Sequence, residues 1–398
     1  MTRSSPSFLR SQLAIAALFC FLGFQYGTWV SQVPVLQRRL DLGEGELGLL
    51  LLAPGIGAAV SFPLVTRLMK RWGSRRLAGA AALVLLVVLA ALAAARTFPV
   101  ALLVLAADGI AIACLNVAMN AQGARLEAEH QRNTMARLHA VFSGGIFCAA
   151  LLTSAVTAAG GSLPVHFAIG GAILGLLLCF SLTGTLTEDV PAPVTVRERR
   201  KWRVPAAVTV LLTLSMVFAE LTEGAMNEWS ALYLRDVTGA SAELTPLGIA
   251  VFSGTMLAAR LFVDNLRKRW GDRRVVLAGT ATAAAGLTGA LLASGFGAAL
   301  TGFAFVGAGM AAVTPCIYVA AARVGPDTLS MVASLGTIGL LAGPPLIGFV
   351  ADESSLTWGM AVVVAAMLLV ATCVGLARWP EQASNERAHD AVSTKPGA

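Results

Sequence analysis

Three polar side chains share one face of an otherwise apolar segment. Glu220, Glu223 and Asn227 are spaced i, i+3 and i+7, which places them on one side of an α-helix. Apolar surroundings favour the neutral form of a carboxyl group, so such an acid can take up and release a proton. We therefore predict that Glu220 and Glu223 carry protons and that Asn227 contacts a polar ligand. A purely structural pairing of one acid with another helix is the alternative.

A second polar stripe runs along the apolar residues 98–124. Asp108, Asn116 and Asn120 are separated by multiples of four and lie on one slowly rotating helix face. Amides offer both donors and acceptors, which suits a hydroxyl-rich or amide-bearing ligand. We predict ligand contacts for Asn116, Asn120 and Gln122, with bonding between helices as the alternative. For Asp108, proton coupling and structural pairing are equally favoured.

Two further apolar segments contribute single polar groups. Gln25 and Trp29 lie one helical turn apart, and an aromatic ring beside a polar side chain suits a sugar or an organic ring. Trp29 could equally anchor its helix at a membrane surface. His139 could relay protons, because histidine titrates near physiological pH, although a packed, hydrogen-bonded histidine is the favoured interpretation.

One arginine, Arg260, stands within an apolar run, and Asp264 follows it at i+4. We interpret the two as a local ion pair that orders the adjoining basic segment. Contact of Arg260 with an anionic substrate is the alternative.

These polar groups stand out because the chain around them is apolar. Of its 398 residues, 57% are hydrophobic and only 13% charged, against a charged share of about 25% in soluble proteins. The apolar residues form runs of about 20, the length of a helix that crosses a bilayer. No phosphate-binding loop, zinc spacing or nucleophile motif is present. The sequence predicts an integral membrane protein and not an enzyme, without metal or cofactor.

The apolar runs predict an all-α fold of twelve transmembrane helices. Their predicted ranges are 11–36, 46–66, 77–95, 98–124, 135–158, 163–184, 205–234, 244–265, 275–293, 296–322, 328–350 and 355–378. Residues 185–204 are polar and basic, and predict a linker between six-helix bundles at 1–184 and 205–378. Residues 379–398 predict a disordered tail.

A basic segment occurs twice and indicates two related halves. Residues 66–76 and 264–274 share the pattern Leu-x-Lys-Arg-Trp-Gly-x-Arg-Arg, at an offset of 198 residues. The same offset aligns Gly109 in predicted helix 4 with Gly307 in predicted helix 10. Because each half has an even number of helices, both have the same orientation. This is a parallel repeat, with a substrate site expected between the halves near the membrane midplane.

Basic residues predict the orientation in the membrane. With both termini in the cytoplasm, 24 of the 29 Lys and Arg residues lie on the cytoplasmic side. This distribution accounts for the net charge of +7, so we expect no nucleic-acid partner. We predict a multi-pass protein of the bacterial inner membrane, surrounded by the lipid bilayer.

The repeated segment resembles the loop 2–3 signature of the major facilitator superfamily. Its base, glycine and following base are matched in the two halves by Arg71, Gly73 and Arg75 and by Arg269, Gly271 and Arg273. The acid before the base is replaced by Lys70 and Lys268. The resemblance implies the twelve-helix fold, a monomer, and a gating role for these residues together with Arg260 and Asp264.

A narrower resemblance is to the fucose-permease-like branch, through residues 115–123 and 223–230. The fucose–proton symporter has a proton-binding Glu in helix 4 and an Asn four residues later. Asn120 matches that Asn, but Asn116 stands where the Glu would be. The resemblance therefore does not imply fucose itself, and it leaves the proton site to other residues.

We expect a secondary transporter that works by alternating access. Its partners are protons and a small polar, sugar-like solute, moved by symport. Proton-driven export of a small organic or toxic compound is the second interpretation. A membrane sensor or structural partner that transports nothing is the third.

Overall fold

The computed structural model describes residues 8–130, 134–186, 206–293 and 295–379. Within these ranges the chain forms fourteen α-helices and no β-strand. In chain order they are α1 Phe8–Val30, α2 Val33–Leu40, α3 Glu44–Val60, α4 Phe62–Ala94, α5 Phe98–His130, α6 Met135–Ala158, α7 Leu163–Ser181, α8 Ala207–Asp236, α9 Leu247–Trp270, α10 Asp272–Ala293, α11 Phe296–Met310, α12 Val313–Val324, α13 Pro326–Glu353 and α14 Leu356–Leu376. The predicted linker beyond Leu186 and the predicted tail beyond Trp379 lie outside the described residues.

The fourteen helices form the twelve predicted transmembrane segments. Ten described segments are long and apolar enough to cross a membrane, and α3 and α13 complete the set. Two predicted helices are interrupted: α2 continues the first after a turn at Ser31 and Gln32, and α12 continues the tenth after α11. Pro34 stands at the start of α2, where its missing N–H costs no helical hydrogen bond.

The two basic segments, predicted as loops between helices, are helical for most of their length. Helix α4 is helical on both sides of Gly73, whose φ of 71° and ψ of 170° make it the non-helical residue at the turn. Gly271 separates α9 from α10 in the same way, with φ 81° and ψ 153°. Glycine adopts a positive φ without steric cost, and the surrounding Arg, Lys and Leu residues favour helix. One residue therefore suffices for each turn.

The two halves repeat the same helix packing. In the first half α1 contacts α6 and α7, and α5 contacts α3 and α4. In the second half α8 contacts α13 and α14, and α11 contacts α9 and α10. The halves meet where α3 contacts α13 and where α6 contacts α9. The pattern confirms the predicted six-helix pseudo-repeats.

Glycine allows the closest approach between helices at the same point in each half. A Cβ atom on Gly109 of α5 would lie 1.7 Å from the backbone oxygen of Pro54 in α3. A Cβ atom on Gly307 of α11 would lie 2.2 Å from the backbone oxygen of Phe252 in α9. Both glycines and both of their partners are related by the offset of 198 residues, so the repeat extends to individual backbone contacts.

Burial separates an apolar exterior from an enclosed centre. Leu103, Leu176 and Leu292 are strongly exposed, as expected for side chains that face lipid. Trp29 and Trp229 are fully buried. The fold therefore encloses α1 and the second part of α8, which carry predicted site residues, inside the bundle.

Candidate transport site

Arg260 of α9 lies at the centre of a charged cluster. Its Nη2 is 3.8 Å from Oε2 of Glu223 on α8, and about three quarters of each side chain is shielded from solvent. Glu220, one turn earlier on α8, interacts electrostatically with both groups. The structure thus brings together the two predicted proton carriers and adds a cation between them and the other half.

Arg260 also joins the two halves. Its Nη1 donates a hydrogen bond to Oγ of Ser143 on α6, at 2.7 Å. The predicted local pair with Asp264 is therefore wrong, because Asp264 instead pairs with Arg267, at 3.3 Å. Asp264 lies one turn nearer the exposed end of α9, where solvent screens it, whereas the buried guanidinium gains most from the carboxylate and hydroxyl beside it.

His139 lies one turn before Ser143 on α6. Its ring packs edge-on against Phe19 of α1, with ring centres 5.2 Å apart. The backbone oxygen of His139 accepts a hydrogen bond from Ser143 Oγ, at 3.4 Å. His139 is exposed, and its position places it close to the Arg260 contact.

Asp108 and Gln25 form a buried link between α5 and α1. Gln25 Nε2 donates to Asp108 Oδ1 at 2.8 Å, and both side chains are fully buried. One oxygen of each side chain and the indole N–H of Trp29 have no hydrogen-bond partner among the described residues. Buried polar groups without partners are costly. The two oxygens can accept hydrogen bonds from a solute or from water, and the indole N–H can donate one.

Tyr26 and Glu228 are functional candidates that the sequence prediction missed. The hydroxyl of Tyr26 on α1 donates to Oε1 of Glu228 on α8, at 3.2 Å, which connects the halves a second time. The ring of Tyr26 also packs edge-on against Trp29, with centres 5.6 Å apart. The sequence signal was a tyrosine between two predicted site residues, Gln25 and Trp29.

The predicted amide residues occupy different surroundings. Asn120 Nδ2 donates to the backbone oxygen and to Oδ1 of Asn116, at 2.8 and 2.9 Å, so the two form one polar patch on α5. Asn116 is exposed and Asn120 half-buried. Asn227 donates to the backbone oxygen of Glu223 at 3.0 Å, and its Oδ1 is buried without a described partner.

Gln122 lies apart from these residues, which corrects its predicted role in substrate binding. Its Nε2 donates to Ser74 Oγ at 2.7 Å and to Leu186 O at 3.1 Å, and its Oε1 accepts from Leu186 N at 2.8 Å. With its amide occupied by protein groups, Gln122 ties α5 to α4 and to the segment after α7. Leu186 therefore belongs to the first half rather than to the linker.

The predicted gating residues make contacts within their own halves. Arg75 donates to Leu182 O at 3.0 Å, beyond the end of α7. Arg273 donates to Gly375 O at 2.6 Å and to Val374 O at 3.3 Å, at the end of α14. Each arginine thus satisfies carbonyls that a helix end leaves free. Arg71 and Arg269 are exposed.

We call the end of the bundle that carries Gly73 and Gly271 the basic end. At the opposite end the halves are in direct contact. Arg235 of α8 donates to Pro34 O at 2.7 Å and to Gln37 Oε1 in the first half. A Cβ atom on Gly48 would lie 3.0 Å from Pro345 Cα. The structure is closed at this end, and the contacts between halves continue to the depth of Arg260.

Two six-helix halves that meet around a charged cluster are the architecture of membrane transporters built from parallel repeats. Comparison with known proteins gives the family. The family model of the Major Facilitator Superfamily matches residues 13–328, with a second match over 212–396. The chain belongs to the Major Facilitator Superfamily, whose members are transporters and not enzymes.

Relatives and solved structures support the same assignment. The chain is 31% identical to an uncharacterised MFS-type transporter of Yersinia pestis, over 91% of this chain and 94% of that protein. It is 30% identical to the membrane protein MosC of Rhizobium meliloti, over 90% and 88%. The nucleoside transporter NupG has the same fold, with a TM-score of 0.66 at 15% identity, over 94% of this chain and all of NupG.

A bacterial homologue of the human lysosomal transporter Spinster, in an inward-facing and unoccupied conformation, also has this fold. Its TM-score is 0.71 at 16% identity, over 94% of this chain and 98% of that protein. Identities this low establish the fold alone.

Proposed function

We propose that the protein is a proton-coupled importer of a small polar, sugar-like solute across the bacterial inner membrane. The observation that carries the proposal is the cluster of Glu220, Glu223 and Arg260, at the depth where the halves meet. A charged group at membrane depth is expensive and is retained for function or for pairing. Here the arginine contacts both a carboxylate of its own half and a hydroxyl of the other.

The coupling step follows from the partners of Arg260. When Glu223 is ionised, its carboxylate attracts the guanidinium toward α8. A proton on Glu223 removes that attraction and leaves the guanidinium to Ser143 and to the solute. Because Ser143 belongs to the other half, protonation changes how firmly the halves are held together. Glu220 supplies a second proton-binding group beside the first.

Asp108 and His139 have positioning roles in this scheme. Asp108 holds the amide of Gln25 on α1. His139 packs against Phe19 beside the Arg260 contact. We assign the solute contacts to residues with unpaired polar atoms or exposed side-chain surface. They are Gln25, Tyr26, Trp29, Asn116, Asn120 and Asn227. Their mixture of amide and aromatic groups suits hydroxyl groups on a ring.

The proposed orientation places both termini and the basic end in the cytoplasm. The closed end, with Arg235 on Pro34, then faces the periplasm, and the conformation opens inward. In the outward-open conformation, Arg71 and Arg269 meet acceptors of the opposite half at the basic end. A fluorescent protein fused to the C-terminus should fluoresce in the cytoplasm, and its failure to do so would reverse the orientation.

Proton movement driven by a solute gradient tests the function directly. Purified protein is reconstituted in liposomes that contain a pH-sensitive dye, and sugars, polyols and nucleosides are added outside one at a time. Nucleosides are included because NupG, which shares the fold, is a nucleoside transporter. A symported solute should acidify the lumen as it enters. Alkalinisation of the lumen would instead support the alternative, proton-driven export of a small organic compound.

A further inference from the structure

A cavity of about 670 Å³ lies at the basic end of the second half. Ligand pockets in proteins usually measure about 300–1,000 Å³. Five cationic side chains and two carboxylates line it, an excess of three positive charges. The cavity lies nearer the basic end of α9 than the Arg260 cluster does. Asp264, the lining residue on α9 nearest to Arg260, is one helical turn further along and pairs with Arg267. Transport of the solute does not account for it.

Ion pairs fix the wall of the cavity. Asp272, at the start of α10, pairs with Arg267 at 2.9 Å and with Arg323 at 3.3 Å. Asp264 also pairs with Arg267, at 3.3 Å. The two carboxylates therefore match Arg267 and Arg323, and the positive excess of the cavity comes from Lys268, Arg273 and Arg274. Lys268 and Arg274 are exposed on the same wall, and neither has an ion-pair partner among the described residues.

Two tryptophans place the cavity at the membrane surface. Trp270 is 48% exposed, and Phe262 and Leu266 on the same helix are also exposed. Tryptophan is enriched where a bilayer meets water. The indole N–H of Trp379, on another wall, is buried without a hydrogen-bond acceptor among the described residues. The cavity thus offers cations and a free donor at the depth of lipid headgroups.

The first half does not reproduce these features. At the offset of 198 residues, Met69 stands for Arg267, Ser74 for Asp272 and Gln122 for Ala320. In the first half the long Gln122 side chain binds Ser74 and Leu186. It thereby fills the position that corresponds to the cavity of the second half. In the second half Ala320 is too short to make that bridge. Lys70 and Arg76 correspond to Lys268 and Arg274. In the first half these two cations therefore lie in a different local environment.

We propose that the second-half cavity binds the phosphodiester headgroup of an anionic phospholipid, such as phosphatidylglycerol. Lys268 and Arg274 contact the phosphate, because guanidinium and ammonium groups bind phosphate oxygens through charge-assisted hydrogen bonds. Basic pockets beside membrane helices are suited to such headgroups. The shared chemistry also fits a free phosphate, which the exposed tryptophan and the lipid-facing side chains beside it disfavour.

Thermal unfolding of the full-length protein in detergent tests this proposal. Three forms are compared: the unaltered protein, the double variant Lys268→Gln/Arg274→Gln, and the matched first-half variant Lys70→Gln/Arg76→Gln. Each is titrated with phosphatidylglycerol, with phosphatidylcholine and with inorganic phosphate. We expect phosphatidylglycerol to raise the melting temperature of the unaltered protein and of the first-half variant. The second-half variant should need at least about tenfold more lipid for the same shift, the change expected from a loss of about 1.4 kcal/mol of binding free energy.

Two results would overturn the proposal. Equal losses of lipid stabilisation in the two double variants would mean that the lipid binds to general surface charge and not in the cavity. A full shift with inorganic phosphate alone would assign the site to a free anion. The single variants Lys268→Gln and Arg274→Gln carry the same comparison if the double variant does not remain monodisperse, and native mass spectrometry then counts the lipids retained on each form.

Discussion

At the scale of single residues, the charge of Arg260 organises the centre of the molecule. A guanidinium at membrane depth requires an anion or several acceptors. Glu223 and Ser143 supply these from two different halves. Because Arg260 contacts both halves, protonation of Glu223 can change the contact between them.

The pairing of Arg260 with Glu223 predicts strong coupling between substitutions. Arg260→Gln alone leaves Glu223 and Glu220 without a cation and should destabilise the protein. Adding Glu223→Gln removes one uncompensated charge, so the double variant should recover part of the loss, with a coupling of roughly 0.5–3 kcal/mol. Thermal unfolding of the two single variants and the double variant measures it. Additive effects would show that the two groups do not interact.

Gln122 is predicted to stabilise the fold and not to bind solute. Gln122→Ala removes the hydrogen-bond partner of Leu186 N and O, and each buried group left unsatisfied costs about 1–3 kcal/mol. The variant should melt at lower temperature while the KM for its transported solute stays unchanged at a permissive temperature. A raised KM with an unchanged melting temperature would return Gln122 to the substrate site.

Some of these residue contacts could be read from the sequence and others could not. The helical spacing of Glu220, Glu223 and Asn227 was enough to place them on one face of α8. The partners of Arg260 were missed because the nearest acid in sequence, Asp264, was preferred to one on another helix. Ser143 carries no such local signal, and Tyr26 is marked only by its place between Gln25 and Trp29. The partners of both residues depend on how the two halves are rotated against each other.

At the scale of helices, backbone contacts through glycine set the distance between neighbours. Gly109 and Gly307 let α5 approach α3 and α11 approach α9. Membrane helices associate through close packing of this kind, because lipid provides no hydrophobic drive between them. Both contacts lie at the same point of the repeat, so each half uses one packing design.

Alanine at either glycine is predicted to force these helices apart. In Gly109→Ala and Gly307→Ala the new methyl group would lie 1.7 and 2.2 Å from a backbone oxygen, so the backbone must move. Overpacking of this kind costs roughly 1–3 kcal/mol. Gly289 of α10 provides the control: a methyl group there would meet no atom within 4 Å, so Gly289→Ala should be neutral or slightly stabilising. Equal melting temperatures for all three variants would contradict this packing.

The sequence predicts most of the helices and the repeat, because apolar runs and a fixed offset are local or periodic signals. It does not predict how short the basic turns are. The residues around Gly73 contain more charge than a membrane helix tolerates, yet they remain helical outside the membrane's apolar layer. The break between α11 and α12 lies at Ala311 and Ala312, and Pro315 follows in the first turn of α12. Proline cannot donate a helical hydrogen bond to the carbonyl four residues earlier, so the sequence carries a signal for this break that the single predicted helix 296–322 did not use.

At the scale of the whole molecule, the contacts of Arg235 hold one end of the bundle closed. Arg235→Ala removes hydrogen bonds to Pro34 and Gln37 in the other half and should shift the protein toward the conformation that is open at that end. Arg96→Ala, exposed in the loop between α4 and α5, is the control. Accessibility of a cysteine introduced at Asn227 to a membrane-impermeant thiol reagent, applied from that end, measures the shift. Equal labelling in both variants would contradict the gate.

Coupling between protons and solute is the central claim, and one substitution tests it most directly. Glu223→Gln removes the titratable group beside Arg260 but keeps the shape of the side chain. In proteoliposomes, this variant should still exchange labelled for unlabelled solute across the membrane, because exchange needs no net proton movement. It should lose accumulation driven by an imposed pH gradient, whereas Glu353→Gln, exposed at the end of α13, should retain it. Unchanged accumulation in Glu223→Gln would contradict the proposed coupling.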